Sequence, residues 1–119
     1  MKLDHIVILA SDIAASVSWY DRLLGLIGFT KQRDHVWANG EGLAVDLRAA
    51  EVDTRPYERF GAGLNHLGFT APTLDALEAV RAGMAKAGFE VPDIQHFDDD
   101  RAVFFRDPDG LRVEIAVYG

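Results

Sequence analysis

The chain has 119 residues, 49% of them hydrophobic and 26% charged, with no cysteine and a formal net charge of −7. That is length for one folded domain with a sizeable core, and it excludes a disulfide framework, a thiolate metal site and a cysteine nucleophile. An acidic chain without a Lys/Arg stripe is also unsuited to a nucleic-acid partner.

No apolar run reaches the roughly 20 residues needed to span a bilayer, so no membrane partner is expected. The start "MKLDHIVILASDIAAS" lacks the basic segment and clean apolar stretch of a secretory signal, and a cytoplasmic location is expected.

The first run, "LDHIVILA" (3–10), alternates as a strand: Ile6 and Ile8 share one face, His5, Val7 and Leu9 the other. "SDIAASVSWYDRLLG" then reads as a helix with Ser11 or Asp12 as N-cap. Ile13, Val17, Tyr20 and Leu24 form its stripe, and Gly25 is expected to end it. Short β-like pieces follow over 29–40. "GLAVDLRA" (42–49) is a stronger strand, with Leu43, Val45 and Leu47 opposed by Ala44, Asp46 and Arg48. The polar stretch 49–63, with Pro56 and two glycines, is too long for a tight turn and reads as a linker or lid.

A second series follows. "LNHLGFTA" (64–71) sets Leu67 and Phe69 against His66, Gly68 and Thr70. A helix from the N-cap Thr73 carries Leu74, Leu77, Val80 and Met84, and closes with Lys86 and Gly88. After further β-like pieces over 92–106, "DPDG" (107–110) has the composition of a type I turn. The last strand, "GLRVEIAV" (110–117), sets Leu111, Val113, Ile115 and Val117 against Arg112, Glu114 and Ala116, with Tyr118 next on that face.

The two series match. His5 and His66 lie 61 positions apart, Asp46 and Glu114 lie 68 apart, and both closing strands read Gly-Leu-x-Val-acid-aliphatic. The prediction is an α+β fold of two βαβββ modules related by a pseudo-twofold axis. They make a single domain over 1–119: module one 1–50, linker 51–62, module two 63–119. The apolar strand faces are those the helices cover, leaving His5, Asp46, His66 and Glu114 on the other faces. Singly, such residues are commonly solvated or structural. As one histidine and one acid at matched positions of each half, they point to a shared metal site. Two imidazoles with one or two carboxylates suit Mn, Fe, Co, Ni or Zn and leave coordination positions open for substrate.

These residues resemble the vicinal oxygen chelate superfamily, which includes glyoxalase I, fosfomycin-resistance thiol transferases, extradiol dioxygenases and bleomycin-resistance proteins. The resemblance spans the whole chain and is carried by "DHIVILASDIAASVSWYDRLLG", "NHLGFTAPTLDALEAV" and "FFRDPDGLRVEIAV". It implies a cup-shaped mixed sheet with the helices on its convex side, and His5, His66 and Glu114 as the ligand triad. Asp46 stands where glyoxalase I has a fourth ligand, a glutamate. One methylene shorter, it would bind the metal directly, reach it through water, or serve only as a hydrogen-bond acceptor behind the ligands.

The implied activity is glyoxalase-I-like lyase or isomerase chemistry on a small oxygenated molecule, including a thiol conjugate, with Glu114 or Asp46 as the base. Other readings are a fosfomycin-type transferase, an extradiol dioxygenase and a metal-free ligand-sequestering protein. Arg48, Thr70, Arg101 and Arg112 are candidates to hold a substrate anion. Trp37, Phe97, Phe104 and Tyr118 are candidates to line the cup, while Trp19 and Tyr20 read as core. His35 and His96 read as hairpin positions. The family's two-module members commonly pair, so a homodimer is expected.

Overall fold

A computed structural model describes all 119 residues. In chain order they form β1 (His5–Ala10), α1 (Ile13–Leu26), β2 (Thr30–Arg33), β3 (Val36–Ala38), β4 (Ala44–Ala49), β5 (His66–Thr70), α2 (Leu74–Lys86), β6 (Gln95–Phe97), β7 (Asp100–Arg106) and β8 (Arg112–Val117). This is the βαβββ order twice, an α+β fold. The chain divides into two compact units, Met1–Pro56 and Tyr57–Gly119.

In the first unit the strand order is β1-β4-β3-β2, with β1 parallel to β4 and the remaining pairs antiparallel. Helix α1 starts at Asp12, whose Oδ1 accepts the backbone N–H of Ala15 (3.2 Å). It does not stop at Gly25, as expected, but runs on to Leu26. The glycine that ends it is Gly28, with φ +96°, because only the residue past the last turn needs the left-handed conformation. Its buried stripe is Ser16, Trp19, Tyr20, Leu23 and Leu24; Ile13 and Val17, expected there, are half-buried. Helix α1 packs on β4, over the face carrying Ile8, Val45 and Leu47. Each such side chain contributes about 1.5–3 kcal/mol by leaving water.

The second unit repeats this topology as β5-β8-β7-β6, with β5 parallel to β8. Thr73 caps α2 through its Oγ1, which accepts the N–H of Ala76 (3.1 Å). Leu77, Val80 and Met84 are buried, while Leu74, expected on the stripe, is exposed at the first turn. Helix α2 packs on β8, and Val103, Phe105, Val113 and Ile115 complete the core on that side.

The turns before the two closing strands are the same device. Asp107 Oδ1 accepts the N–H groups of Asp109 and Leu111 (2.9 Å each), and Asp107 N–H donates to Leu111 O (2.9 Å). Asn39 Oδ1 accepts those of Glu41 and Leu43 (3.0 Å each), and Asn39 N–H donates to Leu43 O (3.0 Å). Gly110 (φ +89°) and Gly42 (φ +84°) take the left-handed position in each.

The two glycines of α1 should respond with opposite signs. Gly25, with open space where a Cβ would be, should gain about 0.5–1 kcal/mol as Gly25→Ala. Gly28→Ala should lose about 1 kcal/mol, since alanine resists a positive φ. Urea-denaturation midpoints measure both.

Candidate functional site

Parallel strand pairs are normally buried on both faces. Here β1/β4 and β5/β8 carry polar residues on the face away from the helix, and each pair holds one of the expected histidines and one of the expected acids. In the first module Asp46 is the register partner of Val7, so His5 and Asp46 share a face. His5 Nδ1 lies 2.8 Å from Asp4 Oδ2; an ionised carboxylate only accepts, so Nδ1 carries the proton. Asp46 Oδ2 accepts both Arg48 Nε (3.1 Å) and Arg48 Nη2 (2.8 Å). That hydrogen bond is the main reason Asp46 titrates below the usual carboxylate range, with desolvation opposing it and the Arg48 charge reinforcing it. A general base needs the opposite shift. Arg48, expected to hold substrate, is thus paired with Asp46 and keeps that carboxylate ionised.

The second module brings its pair together. His66 Nε2 stands 3.3 Å from Glu114 Oε1, with the His66 side chain 38% exposed and that of Glu114 18%. Gly68 is the register partner of Glu114, and a Cβ on it would lie 3.4 Å from Oε1. The missing side chain lets the carboxylate lie across β5 toward the imidazole. Phe104, paired with Glu114 across β7/β8, sets its ring edge-on to His66 at 5.9 Å between centroids.

The orientation of His66 is fixed from behind. Asn65 Nδ2 donates to Arg59 O (2.9 Å), so Asn65 Oδ1 is the atom that faces His66 Nδ1 at 2.8 Å. An amide oxygen only accepts, so the neutral ring keeps its proton on Nδ1 and turns the Nε2 lone pair to Glu114. With Glu114 ionised, the two groups are satisfied either by a proton on Nε2, which makes them an ion pair, or by a cation held between them. Two donors each about 2.0–2.2 Å from a first-row ion stand roughly 3–3.5 Å apart, so this pair fits a metal. The structure gathers no group of three or more such side chains around one point.

Of the other expected residues, Arg112 and Thr70 lie on the same face as His66 and Glu114, and Tyr118 follows β8 at 66% exposure. Trp37 is a correction. It is 1% exposed, it pairs with Val45 on the helix side, and its Nε1–H donates to Asp21 of α1 (2.9 Å). It is core and cannot meet a substrate. Trp19 and Tyr20 are core, as expected. His35 sits in the β2–β3 turn with φ 67°, and His96 is exposed on β6. Asp4, Asn65 and Gly68 were not singled out from sequence. Their signals were there: a polar residue before each histidine, and a glycine inside a strand, which marks a close approach.

Residues 2–115 match the family model described as Glyoxalase/Bleomycin resistance protein/Dioxygenase superfamily. The Bacillus subtilis protein YqjT is 30% identical over 123 residues, 95% of this chain and 96% of that protein. "Glyoxylase I 4" of Arabidopsis thaliana is 25% identical over 129 residues, 96% of this chain and 69% of that protein. The crystal structure of a glyoxylase/bleomycin resistance protein/dioxygenase domain from Frankia sp. EAN1pec superposes with a TM-score of 0.79 at 22% identity. It covers 100% of this chain and 93% of that one, and it shares the fold.

Two outcomes test the geometry of the two histidine–acid pairs. In ¹⁵N NMR of the metal-free protein, neutral His66 should be the Nδ1–H form, and Asn65→Leu should redistribute the proton between the ring nitrogens. Arg48→Gln should move the Asp46 titration upward, toward the usual carboxylate range. Because the folded pKa is the depressed one, the stability this pair contributes is present above the unfolded value of about 4. It is lost as pH falls through the folded value, and the variant should lack that acid-side loss.

Proposed function

The chain belongs to the Glyoxalase/Bleomycin resistance protein/Dioxygenase superfamily, and on that premise we propose that it is a metal-dependent enzyme acting on a small oxygenated substrate by glyoxalase-I-like lyase or isomerase chemistry. The observation that carries the reading is the His66–Glu114 pair, whose ring nitrogen and carboxylate oxygen are 3.3 Å apart, a spacing that two ligands of one ion would have. The proposed ligands are His66 and Glu114 of the second module and His5 and Asp46 of the first, and the active form is a homodimer. A bound Mn, Ni, Zn, Co or Fe ion would act as a Lewis acid, drawing negative charge onto substrate oxygens.

The remaining work falls to the chain's own groups. Glu114 takes the carbon-bound proton on a carboxylate oxygen and returns it to the neighbouring carbon. Arg48 keeps Asp46 ionised, so Asp46 serves as a charge rather than a proton carrier. Phe104 shields one side of His66 from water. Arg112 and Thr70, on the same face, and Tyr118 beyond the strand are the substrate contacts. We place the enzyme in the cytoplasm; no helix is long and apolar enough to cross a membrane.

One observation favours a second reading. Val7 (42% exposed) and Leu9 (55%) give the first module's open face an apolar surface, as a metal-free sequestering protein would use. Metal analysis of protein purified without chelator separates the two. Stoichiometric metal is expected, with turnover of a glutathione hemithioacetal in preference to fosfomycin with thiol or to a catechol. Protein that is metal-poor and takes up no added Ni, Co, Zn or Mn would be the sequestering form. Glu114→Gln should cut kcat by about 10²–10⁴, the usual contribution of a positioned base, and should weaken metal retention.

A further inference from the structure

Beside His66 lies a group of arginines with a single carboxylate, Glu90, among them. Arg112 is the Cα partner of His66 across β5/β8 and of Arg106 across β7/β8. Arg106, Arg112 and His66 therefore form one row on the face opposite α2. Like charges directly opposite on neighbouring strands destabilise a sheet. Arg106 is exposed and leans toward Glu90 (3.7 Å). Arg112 is half-buried and pairs with no acid, although the chain has 19 acids to 12 Lys and Arg.

The third cation comes from the loop before β5. Tyr57 donates its hydroxyl to Leu64 O (2.9 Å) and Asn65 O (2.8 Å), and Arg59 O accepts from Asn65 Nδ2 (2.9 Å). These bonds fold the loop back against the start of β5. Arg59 has its guanidinium carbon 4.7 Å from the Phe60 ring centroid, and its Nε is buried without a hydrogen-bond partner. Arg59 and Arg106 are the cations whose charges act on Arg112. The fold does not demand this residue. The position 68 residues earlier, which occupies the same place in β4, is Ala44.

We propose that Arg112, with Arg59 and Arg106, forms an oxyanion subsite that receives a carboxylate or phosphoryl group of the substrate. Guanidinium groups match both planar carboxylates and phosphoryl oxygens through paired N–H donors. A neutral group would leave the half-buried cations unpaired and would be rejected for that reason. The inference rests on the proposed function for where the rest of the substrate lies, since Arg112 precedes Glu114 by two residues on one strand face.

The test uses metal-free protein, so that it does not depend on the metal reading. Inorganic phosphate and acetate are titrated separately at constant ionic strength, following the arginine side-chain N–H signals by NMR. Saturable shifts of Arg112 and Arg59 are expected, and the tighter of the two anions identifies the group. Arg112→Gln should weaken binding at least about tenfold, the loss of a charge-assisted hydrogen bond, without lowering Tm. Arg112→Lys, which keeps the charge but not the fork, should weaken it less. Lys86→Gln removes one positive charge at the end of α2 and should change affinity by less than about twofold, because exposed charges are screened. Unsaturable shifts, an equal effect of Lys86→Gln, or a Tm that falls in step with binding would overturn the subsite. Phosphate bound at Arg112 in a protein that takes up no metal would keep the subsite and remove the metal reading.

Discussion

Two hydrogen bonds accepted by one oxygen decide which way Glu114 points. Asp107 Oδ1 holds the N–H groups of Asp109 and Leu111 and so sets the residue at which β8 begins. Side chains alternate along a strand, so a start displaced by one residue would carry Glu114 into the face packed with Val103 and Phe105. That would bury an unpaired carboxylate in an apolar layer, at a cost of several kcal/mol. Asn39 does the same for β4 and Asp46. The short polar turn, more than the strand it precedes, keeps each acid available.

On this shared frame the two modules have diverged by small steps that change their chemistry. Where the first has Val7 beside its acid, the second has Gly68, and the carboxylate gains room to reach across the neighbouring strand. Where the first has Arg48 two residues after Asp46, the second has Ala116, so no arginine there draws Glu114 away. Arg112 lies two residues before Glu114, opposite His66. The histidines differ less. Asp4 and Asn65 both accept from Nδ1, which leaves Nε2 with the lone pair of the neutral ring in each.

Much of this was legible in the sequence because it depends on period and position. Alternation placed His5, Asp46, His66 and Glu114 opposite the helix-covered faces, and the matched offsets showed that the two halves share one topology. What was not legible depends on partners distant in sequence. Trp37 lies in a three-residue strand, too short for alternation to assign a face, and the Asp21 carboxylate that satisfies its indole lies on α1. Gly25 resembled a helix end because a glycine's conformation is set by its place in the final turn, which Gly28 occupies. The Asp46–Arg48 ion pair joins neighbours on one strand face, yet either side chain has other rotamers open to it. The sequence also contains the repeat of Asn39 and Asp107, visible as "NGEGL" beside "DPDGL". Different residues fill the same role there, since amide and carboxylate oxygens both accept backbone N–H groups.

The divergence bears on which acid can carry a proton. A carboxylate acts as a base when its proton affinity is close to that of the group it deprotonates, and a bonded arginine moves it away from that condition. Asp46 is held low by two N–H donors on a single oxygen, and freeing it would require breaking both. Glu114 has no arginine on its oxygens, has a histidine whose lone pair faces it, and has a glycine that leaves space for its longer side chain to swing. The first module holds its carboxylate to an arginine, and the second sets its carboxylate beside a histidine and a glycine.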